Sequence, residues 1–481
     1  MNRKIIILFL ISFLLVDISY SFLQFYNTPF DGDMPGGIVP AEYVKPILEN
    51  PLGIKIFKEH TTYANPNRFF SHWSFYTYFN SIPFLLQKTT NPLNSAYLSC
   101  AIAKTTIQIL IIYLLALAVS GKFRFKLEFL IAAVLITPLF QTNGYNNYMG
   151  IIDPSTTYTF FYALPAAILL IYFTPFFLKY YYKKEFKKFK YLKIAWIPLA
   201  LVCSLSGPLN PGVTLVVALL LFIQAIYKNL SNRKKTNLFS RVFFALKEIP
   251  KDYYFFLLPI SIFSLYSLFL GSYNALAWEK IPLSTLYLRL PQGLYYSLTQ
   301  KMGFPVLLLI LLINTLIIRK KYSNEEGNKI LKAFKWIGFF SFLYILLLPL
   351  GGYRIYRPNV LRYDTIMPIT LLLIFIFGKT TLFIFKNISK RQKTWYIPLI
   401  VLVLVIFTNS DEAMFNKNKC ERNAIMQIAQ SSDSIVKLDG NCTVLSWTII
   451  ETPKDSELKT KLLKKWNIIS EDKLFYQNSS H

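Results

Sequence analysis

The sequence predicts an all-α polytopic membrane protein with about eleven transmembrane helices, a long first loop carrying interfacial helices, and a small α/β C-terminal tail. Three observations predict it. The 481 residues are 54% hydrophobic and only 16% charged, against roughly 25% charged in an ordinary soluble domain. The apolar residues fall in runs that reach or approach the roughly 20 residues a helix needs to cross a bilayer core. The connections between runs alternate between basic and non-basic, the pattern that orients helices in a membrane. The net charge of +27 is therefore not read as a nucleic-acid footprint: Lys and Arg stand in short clusters between apolar runs.

The first run, 4–24, follows Asn2-Arg3-Lys4 and is interrupted by Asp17. Its length, and the lack of a small-x-small site after it, mark a retained helix rather than a cleaved signal peptide. Further runs lie near 95–120, 127–141, 157–177, 192–207, 212–228, 253–271, 302–318, 336–350, 365–385 and 395–408. Every even-numbered run exits into a basic connection: KFRFK, then KYYYKKEFKKFKYLK with Lys183, Lys184, Lys187 and Lys188, then KNLSNRKK, RKKYSNEEGNK and KNISKRQK. No odd-numbered exit is basic. The positive-inside rule places the basic loops and the N-terminus in the cytoplasm and the C-terminus outside.

FFSHWSFYTYFNSIPFLL, 69–86, is apolar enough to span, but counting it would invert every later loop. Its Trp73, Tyr76 and Tyr78 suit a helix lying in the headgroup region instead. The outer side then carries a first loop (25–94), QTNGYNNYMGIIDPST (141–156), GPLNPG near 207–212, a loop at 272–301, GGYRIYRPNVLRYD (351–364) and the tail. The chain divides into a membrane domain, 1–408, and an extracytoplasmic tail, 409–481, which reads as helix (420–435), strand (CTVLSWTII, 442–450) and helix (455–467). Lys/Asn/Ile/Phe/Tyr-rich usage points to an AT-rich bacterial genome, and hence to a multi-pass plasma (inner) membrane protein.

Cys100 and Cys203 fall in apolar runs and read as buried thiols. Cys420 and Cys442 either pair, which an outward location permits, or remain thiols. No repeat, P-loop, G-x-S-x-G elbow or metal-spaced Cys/His cluster is present.

The chemistry concentrates on the outer side. FYNTPFDGDMPGG places Asp31 and Asp33 just after the first helix. Asp-Gly and Pro-Gly-Gly are turn chemistry; the same carboxylates, fixed at a helix end, also suit a general base or a cation ligand. Asp153, the only acid in its loop, is either a helix N-cap or a second carboxylate converging on the same ligand. Arg354, Arg357 and Arg362, with Tyr353, Tyr356 and Tyr363, break the positive-inside pattern locally. Guanidinium forks suit phosphate oxygens, so a lipid phosphate is their natural partner. His60 and His72 lie in the first loop as surface or substrate-contact residues. Lys104 and Asp17 are charges within apolar runs and candidate partners of each other.

This layout resembles the GT-C superfamily of polytopic glycosyltransferases, which includes protein O-mannosyltransferases and lipid A aminoarabinose transferases. The resemblance covers 1–408 as topology: a cytoplasmic N-terminus, one helix, a long outer loop with interfacial helices, and an acid soon after helix one. FDGDM stands where that family keeps its essential carboxylate, and LRYDTIMPI is similar to its R-Y-x-x-x-x-P element. A Gly separates the two acids here, whereas many relatives have them adjacent. The resemblance implies sugar transfer from a polyprenyl-phosphate donor to a glycan, lipid or protein acceptor at the outer face. Asp33 or Asp31 would then be the base, Asp153 would assist or join Asp33 in holding a divalent cation, and Arg362 would contact donor phosphate. A lipid-linked oligosaccharide polymerase or ligase, and a transporter or flippase, are the alternative readings.

Overall fold

A computed structural model describes residues 3–122, 126–140, 149–184, 189–231, 238–275, 281–300, 302–351 and 359–478. The protein is an all-α polytopic membrane protein. Among the described residues nine helices are long and apolar enough to cross a membrane: Arg3–Tyr26, Pro92–Ser120, Thr156–Tyr182, Asn210–Leu230, Lys251–Ser272, Gly303–Lys321, Glu325–Gly351, Met367–Asn387 and Lys390–Asn409. The two remaining runs form shorter apolar helices, Leu127–Phe140 and Ile194–Ser204.

Pro92–Ser120 and Met367–Asn387 form the middle of the bundle, with 67% and 89% of their apolar windows buried against 11% for Arg3–Tyr26. The first helix therefore turns Leu8, Phe9, Leu15 and Val16 outward, as a lipid-facing helix does. Ser95, Ala96, Ser99, Ala101 and Ala103 on Pro92–Ser120 are all buried; such small residues let neighbouring helices approach closely. Local chemistry sets its ends. The Asn91 side chain accepts from Asn94 N at 2.8 Å with Pro92 following, and Gly121 closes the helix at φ +64°. In the interior, Asn314 donates to Thr380 and Thr381 hydroxyls at 3.0 Å each and accepts from Tyr396 at 2.7 Å, so this buried amide is satisfied across three helices.

The two ends of the bundle differ in chemistry. At one end Lys184 bonds Gly121 O, Lys329 bonds Tyr181 O, Lys379 bonds Tyr182, and Lys386 pairs with Glu128 at 3.1 Å. At the other, Phe70 N donates to Leu205 O, Tyr344 to Thr365 O, and Ala275 N to Tyr63 O. All the described basic connections meet at the first end, and the first loop and tail at the second.

Residues 69–86 form two short helices, Phe69–Phe79 and Ile82–Leu86, neither long enough to span. The region 272–301 differs from its reading as a loop: Leu283–Thr299 is a helix. Leu286, Leu290, Gly293 and Ser297 line its buried face at helical spacing, while Leu288 and Tyr295 are exposed, the division of a helix lying at an interface. The tail also differs. Helices Lys419–Gln430 and Glu457–Lys465 match the expected ones, but 442–450 is not a strand; the strands are Ile435–Leu438 and Leu474–Gln477, paired in parallel. Cys420 and Cys442 form a disulfide. The tail shares one hydrophobic cluster with the bundle: Trp466 is fully buried against Phe30 and Phe79, and its indole N–H donates to Phe79 O at 3.2 Å.

Trp466→Ala removes that anchor, at a cost of about 3–5 kcal/mol for a buried Trp. Limited proteolysis should cut the tail faster in this variant while circular dichroism keeps the helical signal of the bundle. An unchanged cleavage rate would show that the tail is held elsewhere.

Candidate functional site

The first helix ends at Tyr26, and the chain turns at Asp31, whose carbonyl accepts from Met34 N at 3.2 Å. The expected turn is present. The Asp31 side chain is buried, with Oδ2 accepting from Thr157 N at 2.9 Å and Oδ1 accepting from Thr157 Oγ1 at 2.7 Å and Asp33 N at 3.1 Å. Thr157 lies in the first turn of helix Thr156–Tyr182, where backbone N–H groups lack intrahelical acceptors and the dipole favours negative charge. Asp31 thus caps a helix from a distant loop.

Asp153 approaches the same helix end. Its Oδ1 accepts from Ser155 N at 2.7 Å, and Ser155 itself is the N-cap, accepting from Tyr158 N at 3.1 Å. The Asp153 Oδ2 accepts from the Tyr363 hydroxyl at 2.7 Å. Lys104, wholly buried in Pro92–Ser120, bonds Pro154 O. Asp31, Asp153 and Lys104 feel one another's charge. Four segments separate in sequence therefore meet at one helix N-terminus. Burial pushes the Asp153 carboxyl up to about 6; the bonds from Tyr363 and Ser155 and the Lys104 charge pull it back, and Asp31 adds to the rise.

Gly32, between the two acids, has a steric explanation. A Cβ there would stand 2.6 Å from both the backbone N and the ring of Trp447. Trp447 is half exposed and lies 5.8 Å from the Tyr158 ring. The tail closes over this turn through Glu421, which sequence reading did not single out. Buried Glu421 accepts from Phe30 N at 2.9 Å, Tyr97 OH at 2.6 Å and Leu445 N at 3.0 Å. Burial pushes its carboxyl up to about 7 against these three donors, and Asp31 raises it further. Arg422 stacks over Tyr97 at 3.8 Å. Nothing in the local sequence CERNA marks Glu421: an acid in the first turn of a short helix usually faces water.

Other expected residues are distributed as follows. Asp33 is half-buried at the N-cap of the short helix Met34–Ile38, without a side-chain cap bond. Tyr363, expected with the phosphate group, holds Asp153 instead. The Arg362 guanidinium is taken up by buried Asp364, with Nε–Oδ1 2.7 Å and Nη2–Oδ2 3.0 Å, so any phosphate there would share it with a carboxylate. Arg354 and Arg357 lie outside the described residues, with Tyr353 and Tyr356. His60 bonds Tyr273 at 3.1 Å. His72 is buried edge-on to Phe161 at 4.6 Å, and burial, then the Arg68 charge, lowers it to about 3, so it is neutral. Lys104 and Asp17 are not partners: the charge near Asp17 is Asp411, because the tail returns over the first helix. Among the described residues no group of three or more His, Cys, Asp or Glu could hold a metal ion.

No family model, curated protein or solved structure matches this chain.

Tyr363→Phe should raise the Asp153 carboxyl above about 6, because it deletes a donor to the ionised form, a hydrogen bond of about 1.5–3 kcal/mol. A carboxyl raised from 3.8 in the fold favours folding fully below pH 3.8, and that contribution is lost as pH rises through about 6. The variant extends the loss to higher pH. Infrared titration of the carboxyl band in Tyr363→Phe, with Asp153→Asn identifying the band, checks it; an unmoved midpoint would contradict the assignment.

Proposed function

We propose that this protein is a glycosyltransferase of the outer membrane face, moving a sugar from a polyprenyl-phosphate donor to an envelope glycan, lipid or protein acceptor. The observation that carries the reading is the meeting of Asp31 from the first loop, Asp153 from the second and Tyr363 from the late loop at one helix N-terminus. On this reading the end bearing these loops faces outward, the basic end is cytoplasmic, and all eleven apolar helices are embedded. The Cys420–Cys442 disulfide in the tail suits an oxidising exterior.

The roles divide by what each carboxylate is free to do. Asp31 spends both oxygens on Thr157 and Asp33 N, so it positions the turn. Asp153, raised to about 6 and half-buried, matches a base working near neutral pH; Asp33, beyond the Gly32 turn, is the second candidate. The acceptor hydroxyl oxygen bonds to the anomeric carbon and its proton passes to the carboxylate. The bond from the anomeric carbon to the phosphate oxygen breaks, and its electron pair leaves with the polyprenyl phosphate. Arg362, with Arg354 and Arg357 from the same loop, would balance that phosphate charge.

Asp153→Asn and Asp33→Asn should include at least one variant that inserts normally yet loses transfer by about 10²–10⁴-fold, the scale of general-base catalysis. The readout is accumulation of unconsumed polyprenyl-phosphate sugar in membranes, by mass spectrometry. Full turnover in both variants and in their double would remove the base assignment.

A further inference from the structure

At the basic end, remote from Asp31, lies an open cavity of about 480 Å³. Lys183, Lys329, Lys379, Tyr181 and Tyr182 line it, with Glu325 and Glu326 also in its wall. The charges are layered by depth. Lys379 is buried, 6% exposed, on the central helix Met367–Asn387, whereas the Glu326 side chain is 55% exposed. Both acids stand in the first turn of helix Glu325–Leu347, where the helix dipole already compensates them. The deepest charge, Lys379, is cationic, and the acids stand at the mouth with the exposed Lys183.

Lys379 pairs with Glu326, and the two carboxylates set against three lysines leave one positive charge in excess. Lys379 Nζ lies 3.1 Å from the Tyr182 hydroxyl and 3.6 Å from Glu326, longer than a charge-assisted hydrogen bond. Lys329 bonds a carbonyl, Tyr181 O, and stands 4.4 Å over the Tyr181 ring. Tyr181 has a buried hydroxyl with no hydrogen-bond partner among the described residues. Three ammonium groups against two carboxylates leave net positive charge around one space, which a compact anion with several acceptor oxygens would complete.

We infer that this cavity binds a phosphate anion, the chemistry shared by an anionic phospholipid headgroup and a small soluble phosphate. A carboxylate offers two oxygens, too few for these donors, while a phosphate offers up to four and is served by lysine as a point charge. A basic pocket between spanning helices at the bilayer surface is also where headgroups bind. The site uses none of the residues of the acidic centre.

The test uses the full chain, purified and delipidated in detergent. One arm titrates dioleoyl phosphatidylglycerol by native mass spectrometry; the other titrates inorganic phosphate by calorimetry. The variants are Lys183→Gln with Lys329→Gln, which are not fully buried, and Tyr181→Phe, which removes only the hydroxyl; Lys437→Gln in the tail is the control. A tenfold or greater loss of lipid binding in the lysine double variant, with a smaller loss in Tyr181→Phe and none in the control, supports a lipid headgroup. The same pattern for inorganic phosphate supports a soluble ligand. Binding of both probes unaltered by these substitutions, or no binding of either to the unmodified chain, overturns the inference.

Discussion

The contact on which the loop end depends is the Asp31 carboxylate on the first turn of helix Thr156–Tyr182. Two hydrogen bonds from Thr157, each of about 1.5–3 kcal/mol when the acceptor is charged, join the first loop to the bundle, and a third from Asp33 N closes the turn. Without them Thr157 N would be a buried donor with no acceptor, at a helix end whose dipole already calls for negative charge. The turn that follows Phe30 is fixed by this anchor, and with it the direction of Asp33. A substitution at Asp31 is therefore a structural event before it is a chemical one.

Glu421 holds the same segment from the opposite side. Its oxygens accept from Phe30 N, from Tyr97 on a spanning helix, and from Leu445 in the tail. One carboxylate joins tail, loop and bundle. The adjacent Cys420 is bonded to Cys442, so Glu421 lies inside a closed covalent loop and Leu445 follows three residues after it, which limits the chain entropy lost on docking. With Trp466 buried beneath Phe30, the tail functions as the roof of the acidic centre rather than as a separate unit with its own core.

What was legible in the sequence was set by averages over many residues. Apolar runs gave every long helix, and the alternation of lysine clusters sorted the connections correctly into two ends, because bilayer thickness and positive-inside bias act on whole segments. Single contacts between distant residues were not legible. CTVLSWTII reads as a strand from its β-branched residues, yet Leu445 has φ +49° and gives its N–H to Glu421, and Trp447 lies on Gly32. Docking consumed the groups a strand would have paired. Leu283–Thr299 does not stand out as an apolar run because Arg289, Gln292 and Pro291 lower its mean hydropathy below that of a spanning helix. For the pair Asp31 and Asp33, the turn and the carboxylate chemistry both had sequence signals, but the Thr157 partner had none.

The same geometry explains why the two acids at this helix end, Asp31 and Asp153, are not redundant. Asp31 accepts three hydrogen bonds, so both of its oxygens are committed to the turn and to Thr157. Asp153 differs, although it shares the helix end: its burial opposes ionisation more than its partners favour it, and its carboxyl stands near 6. Lys104 sits between these demands. Its ammonium, buried under Pro154 and within reach of both acids, offsets negative charge that the helix end alone would leave in excess. The centre thus pairs one carboxylate held for structure with one poised to titrate. Gly32 permits the tight turn that places Asp31 under Trp447, since any side chain there would push the roof away and expose that carboxylate to water.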